Sequence, residues 1–117
     1  MLFRSYTSEG KRKGYLLIDK NLIKSISEKD PQISDAHKID ATPYAVLPGI
    51  IDPHLHINEP GRTEWEGFET ATKAAAAGGI TTLIDMPLNS SPVTVNKKSL
   101  ELKIRAAHDK LYVNCGF

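Results

Sequence analysis

The chain has 117 residues, of which 40% are apolar and 25% charged, and its formal net charge is +1. This is the balance of a soluble globular chain with a modest core. No basic stripe marks a nucleic-acid partner, and the apolar runs are far too short to span a bilayer, so neither nucleic acid nor membrane is expected. The opening residues Met1–Tyr6 are not followed by an apolar segment of the kind a secretory leader needs. A single cysteine, Cys115, leaves no internal disulfide to form and points to a reducing compartment.

Residues 2–27 read as short strands and turns. Gly10–Gly14 is a charged turn, Tyr15–Ile18 a strand, Asp19-Lys20-Asn21 a tight turn and Leu22–Ser27 the returning strand. The polar stretch 28–36 carries Pro31 and reads as a loop. Lys38–Ala41 and Tyr44–Leu47 read as two more short strands on either side of Thr42-Pro43. Residues 1–48 are thus a small antiparallel β unit with no visible chemistry, and His37 is a solvated loop residue.

From Pro48 the pattern changes. Gly49-Ile50-Ile51 is apolar and β-branched, as in a strand covered on both faces, and the strand is read over 49–57. Side chains alternate along a strand, so Asp52, His54, His56 and Asn58 share one face and Pro53, Leu55 and Ile57 the other. Two imidazoles two residues apart on a rigid strand can ligate one divalent metal. The competing reading is a histidine pair hydrogen-bonded inside a packed structure. Asp52 sits on the same face and can orient a ligand. The loop that follows is rich in Pro and Gly, as binding loops at strand ends often are.

Thr63 and Glu66 fit a capping box, which predicts a helix from about Glu64 to Ala77 with Trp65, Phe68, Thr72 and Ala75 on one stripe. Gly67 is unfavourable inside such a helix and needs a packing reason. Gly78-Gly79 ends the helix. Ile80–Asp85 is a second buried strand closed by Met86-Pro87, and a loop runs from Leu88 to about Val95. A second helix spans roughly Lys97–His108 with Leu100, Ile104 and Ala107 apolar on one face, and Leu111–Phe117 is a third strand. Strand–helix–strand–helix–strand with short connections points to α/β architecture with a parallel sheet, the start of a (βα)8 barrel. A full barrel needs about 250 residues. Residues 49–117 are therefore expected to be its first βα units, in a longer protein or completed by another chain.

Val46–His56, containing Pro48-Gly49-Ile50-Ile51-Asp52-Pro53-His54-Leu55-His56, resembles the opening of the metal-dependent cyclic amidohydrolases, the superfamily of dihydroorotases, hydantoinases and allantoinases. The resemblance covers essentially the whole chain. It implies a small β-sandwich built partly from residues 1–48 beside a TIM-type barrel. Asn58–Thr72, Ala74–Thr82 and Asp85–Ser90 look most like the allantoinases. Dihydroorotases carry an arginine where Asn58 stands, which forks onto a carboxylate. A neutral amide suits the neutral ureido group of allantoin. Their Met-Pro-Asn-Thr becomes Met86-Pro87-Leu88-Asn89 here.

The resemblance implies ring opening of allantoin to allantoate at a two-metal site, usually Zn2+, with His54 and His56 on one metal. The bridging carboxylated lysine, the other ligands and the general base lie later in that family's sequences, so no catalytic group is expected within this chain, and alone it should be inactive. Substrate contacts fall to Asn58, Arg62 and Asn89, and supporting roles to Asp52 and Asp85. The blander alternatives are a salt bridge of Arg62 with Glu64 or Glu66, a turn role for Asn89, and capping of loop amides by Asp85. Glu59 is read as a loop brace, Trp65 and Phe68 as helix packing, His108 as a solvated helix-end residue, and Cys115 as a core residue rather than a nucleophile. A homo-oligomer and an intracellular, cytoplasmic setting are expected, with a peroxisomal or other organellar address left open. A dihydroorotase or hydantoinase activity, and a non-catalytic relative that uses the fold for assembly, are the alternatives.

Overall fold

The computed structural model describes residues 2–7 and 10–117, with the backbone alone described for 2–7, 11 and 12. The chain divides into two compact units, residues 1–48 and 49–117. Among the described residues no helix is long and apolar enough to cross a membrane.

The first unit is a four-stranded sheet of β1 (Leu2–Thr7), β2 (Gly10–Asp19), β3 (Leu22–Ser27) and β4 (Asp40–Val46), in the order β3-β2-β1-β4. Gly10–Gly14 is not a turn. It is the first half of β2, paired antiparallel with β1 from Thr7 opposite Gly10 to Phe3 opposite Gly14. Cross-strand pairing overrides the turn preference of a Gly-flanked basic run. The β2–β3 turn falls where the sequence puts it. Lys20 and Asn21 take φ of 47° and 69°, the left-handed pair that two-residue hairpins require. The two strands expected around Thr42-Pro43 are one. β4 runs through the break and, against the expectation of an antiparallel unit, pairs parallel to β1, with the register jumping between Leu2 opposite Asp40 and Arg4 opposite Ala45. Proline offers no N–H to a ladder, so the irregularity falls where Pro43 sits.

The second unit is a three-stranded parallel sheet of β5 (Ile50–Leu55), β6 (Ile80–Asp85) and β7 (Asn114–Gly116), in that order, crossed over by α1 (Phe68–Ala77) and α2 (Lys97–Ala107). β6 and its closure at Met86-Pro87 lie where the sequence predicts them. Gly79, at φ 81°, makes the turn out of α1. The core is Ile57, Phe68, Ala71 and Ala107, with Leu55, Ala106 and Cys115 packed against it.

Several expectations need correction here. β5 ends at Leu55, so His56 and Asn58 lie just beyond it, and Ile50 and Ile51 are 58% and 62% exposed rather than covered. β5 is an edge strand of this sheet. The first helix begins at Phe68, not Glu64, and Thr63–Trp65 form a turn in which Trp65 N–H bonds to Arg62 O at 3.0 Å. Glu66 O instead accepts from Asn58 N–H at 3.0 Å, which ties this residue to the preceding loop. Gly67 is therefore the extended N-cap, its N–H bonded to Thr70 Oγ1, and Trp65 is 69% exposed rather than packed. A Cβ on Gly67 would stand 3.0 Å from Thr63 Cγ2 and 3.1 Å from Glu59 Oε2, which is the packing reason for glycine.

α2 starts as expected, with Asn96 and Ser99 capping each other. It presents Ser99, Lys103 and Ala107 inward, while Ile104 is 49% exposed. β7 is shorter than expected. Tyr112 is held outside it by Thr72 Oγ1, which accepts the Tyr112 N–H at 3.2 Å and donates to Phe68 O at 2.6 Å.

Candidate metal and substrate site

The polar groups gather where β5 and β6 end. His54 and His56 stand with ring centroids 5.4 Å apart, edge to face at 75°. Asp52 Oδ1 accepts the His54 N–H at 3.0 Å, so Asp52 fixes the main chain of His54 rather than its imidazole. Past the strand end, Leu55 O accepts from Met86 N–H at 2.8 Å, and Ile57 turns into the core with no exposure. Ile57 N–H donates to Asp85 Oδ1 at 2.7 Å. Asp85 caps a loop amide while its other oxygen pairs with Lys103 Nζ, deep under the sheet end.

Two buried atoms flank Ile57 without any hydrogen-bond partner, His56 Nδ1 and Asn58 Oδ1. Buried polar groups are normally satisfied, and an exception calls for a reason, of which a bound ion, water or ligand that completes the pairing is one. Two imidazoles side by side fit a borderline-soft divalent metal, as two of the roughly four ligands it takes. Among the described residues no group of three or more His, Cys, Asp or Glu could hold a metal, so these two are a partial donor set.

The loop bearing Asn58 is tied down on every side. Its main chain bonds Glu66 O and accepts from Arg62 N–H at 3.0 Å. Ser91 N–H donates to Pro60 O at 2.8 Å, which joins this loop to the one carrying Asn89. Gly61 permits the approach. Its φ is 91°, and a Cβ there would stand 2.4 Å from Ser91 O. Arg62 makes no ion pair with Glu64 or Glu66 among the described residues. Its guanidinium lies over the Trp65 ring at 5.3 Å. Asn89 is half-buried in the neighbouring loop, and among the described residues no hydrogen bond joins it or Arg62 to the histidines.

Lys103 carries more than its sequence signal showed, and Glu59 is the loop brace that the sequence suggests. Lys103, 1% exposed, supplies the counter-charge to Asp85. A lysine at the centre of the stripe Ser99–Lys103–Ala107 was the available sign. Glu59, 6% exposed, braces the loop from α1, where Oε2 accepts Phe68 N–H at 3.0 Å, and from Lys110, which pairs with Oε1. The separation of 51 positions from Glu59 to Lys110 leaves no local pattern by which to find that pairing. Cys115 is no nucleophile here: burial first, then the nearby Asp85 carboxylate, push its thiol up to about 11, against a smaller opposing effect of Lys103.

Comparison with known proteins adds to this geometry. The model of the amidohydrolase family matches residues 45–117. The chain is 61% identical over 79 residues to a probable allantoinase of Oryza sativa subsp. japonica, covering 68% of this chain and 16% of that protein. It is 49% identical over 105 residues to an allantoinase of Arabidopsis thaliana, covering 90% and 20%. An allantoinase of Streptomyces avermitilis is 44% identical over 115 residues, covering 97% and 26%. Among solved structures, an L-hydantoinase (dihydropyrimidinase) from Arthrobacter aurescens superposes with a TM-score of 0.84 at 28% identity, over 98% of this chain and 27% of that one. The chain therefore spans between 16% and 27% of the length of these proteins.

Proposed function

The chain belongs to the amidohydrolase family, and on that premise we propose that it bears the first metal-binding pair of an allantoinase, which opens the hydantoin ring of allantoin with water to give allantoate. The observation that carries this reading is the pair of unpartnered buried atoms, His56 Nδ1 and Asn58 Oδ1, beside His54 at the end of β5. His54 and His56 hold one metal. Zn2+ is the ion this reading takes, two per complete site, bridged by a carboxylated lysine outside these residues. A divalent metal there supplies the Lewis acidity that amide hydrolysis at neutral pH requires.

The chain's own residues bind and orient. Asn58 Oδ1, already desolvated, accepts an N–H of the ureido group, a neutral contact that a carboxylate could not replace without repulsion. Asp52 holds the main chain of His54 in place. Arg62 and Asn89 stand on the two hydrogen-bonded loops that border the site and take the polar edge of the ring. The same reading makes residues 49–117 the first βα units of a TIM-type barrel and residues 1–48 part of a β-sandwich. The parallel β5-β6-β7 order and the exposed Ile50 and Ile51 support it, since an outer face of that kind calls for further cover. A homo-oligomeric, intracellular protein belongs to the same proposal.

The test is a ring-opening assay of the whole protein carrying this chain, with allantoin and dihydroorotate offered side by side, with and without a chelator. Chelator-sensitive turnover of allantoin alone is expected. Asn58→Arg should raise the KM for allantoin more than it lowers kcat. Preference for dihydroorotate would mean that Asn58 does not read the ureido group and that the dihydroorotase alternative holds. Turnover of neither, with no metal bound, would leave a non-catalytic relative.

A further inference from the structure

The Asp85–Lys103 pair is as deeply buried as any in the described chain, with side chains 0% and 1% exposed. A pair at this depth is a poor device for stability alone, because desolvating two charges offsets most of their attraction. An apolar residue on the inward stripe of α2, between Ser99 and Ala107, would serve the core as well. The geometry gives the pair a different task. Lys103 Nζ engages Oδ2 and also lies 5.9 Å from the Phe68 ring. Held in that way, the carboxylate presents Oδ1 to one main-chain donor, Ile57 N–H.

That donor lies between the two unpartnered atoms. β5 has already ended, so nothing in the strand ladder sets the path of residues 56–58. Four bonds among the described residues set it instead: Leu55 O with Met86 N–H, Ile57 N–H with Asp85, Asn58 N–H with Glu66 O, and Asn58 O with Arg62 N–H. Of these, the one at Ile57 alone comes from a side chain, and it comes from an element that is 28 residues away in sequence. We infer that Asp85, oriented by Lys103, is a positioning residue that fixes the main chain at Ile57 and thereby aims His56 and Asn58 at their ligands. This deepens the proposed function and rests on it for the identity of the ligand.

Two double variants of the whole protein carrying this chain separate positioning from stability. Asp85→Asn with Lys103→Met removes both charges and keeps an acceptor for Ile57 N–H. Asp85→Leu with Lys103→Met removes both charges and the acceptor. Neutral cores of this kind fold about as well as the buried pair does. The readouts are Zn2+ affinity by chelator competition and, on the metal-free protein, amide exchange at Ile57 and the imidazole NMR signals of His56. The first variant should bind Zn2+ within about threefold of wild type. The second should bind about 10- to 100-fold more weakly, as loss of a group that orients a ligand usually does, with faster exchange at Ile57 and altered His56 signals.

Equal Zn2+ affinity in the two variants, with unchanged His56 signals, overturns the inference. Should wild type bind no Zn2+, the metal reading falls. The positioning then stands or falls on whether Ile57 protection and the wild-type His56 signals are lost in the second variant alone. If that variant does not fold, Asp85→Glu keeps the charge opposite Lys103 and moves the acceptor by one methylene. It should weaken Zn2+ binding by about tenfold, and wild-type affinity there overturns the inference equally.

Discussion

Glu59→Ala should destabilise the unit spanning 49–117 through a helix end that sits nine residues away in sequence. The four leading N–H groups of a helix lack partners within it, and Gly67 at the N-cap has no side chain to offer. Glu59 reaches in from the preceding loop and accepts Phe68 N–H at 3.0 Å. Loss of a capping acceptor costs about 1 kcal/mol. A carboxylate at the positive end of the helix dipole adds about 0.5 kcal/mol. Lys110, the other partner, is 41% exposed and can return to water, so the broken pair adds no more than about 0.5 kcal/mol. The sum is about 2 kcal/mol. At about 4–8 °C per kcal/mol for a small domain, the melting midpoint should fall by about 8–16 °C. Glu59→Gln keeps an acceptor and loses only the charge, so it should cost about half as much. Thermal and urea unfolding followed by circular dichroism measure both. If Glu59→Ala falls within about 0.3 kcal/mol of wild type, or if the two variants are equally costly, the long-range cap is not what holds this helix end.

Phe68→Ala removes a ring with no exposure from the centre of the core and should cost about 3–5 kcal/mol in urea unfolding, whereas Trp65→Ala, at an exposed ring, should cost under about 1 kcal/mol. Lys103→Met alone strands a buried carboxylate and should cost about 3–5 kcal/mol, largely recovered when Asp85→Asn is added, and an additive double variant would contradict this. Because burial raises the folded thiol of Cys115 from 9.0 to about 11, the stability that comes from keeping it neutral is fully present below pH 9 and is lost as pH rises toward 11. Alkylation by iodoacetamide should accordingly be slow at pH 8 and climb only above pH 10, and rapid labelling at pH 8 would contradict the burial argument.

Elements whose ends are marked by their own residues could be read directly. Ile80–Asp85 is a β-branched apolar run with a glycine at positive φ before it and Met86-Pro87 after it, and the strand occupies those residues. The β2–β3 hairpin turn and the start of α2 at Lys97 are equally local. The start of α1 was not legible, because two signals compete there. Thr63 and Glu66 spell a capping box, but Asn58 takes the Glu66 carbonyl and Glu59 takes the Phe68 amide, and the helix begins one turn later. The charged run Gly10–Gly14 looked like a turn and became a strand because β1 supplied a partner for its ladder.

The sequence by itself determined the grammar of the second unit and the adjacency of His54 and His56, since two residues along an extended chain place two side chains close together whatever else surrounds them. It also determined that a neutral amide, not a guanidinium, stands at position 58. Only the tertiary structure decided how that segment is held. Asp85 meets Ile57 across 28 residues, Lys103 meets Asp85 across 18, and Lys110 meets Glu59 across 51. Such contacts follow from which face each helix turns to the sheet, and that depends on packing against every neighbour at once. Local periodicity pointed to Leu100, Ile104 and Ala107; packing buried Ala107 together with Ser99 and Lys103 and left Ile104 exposed, because a lysine can be buried where a carboxylate is already waiting for it.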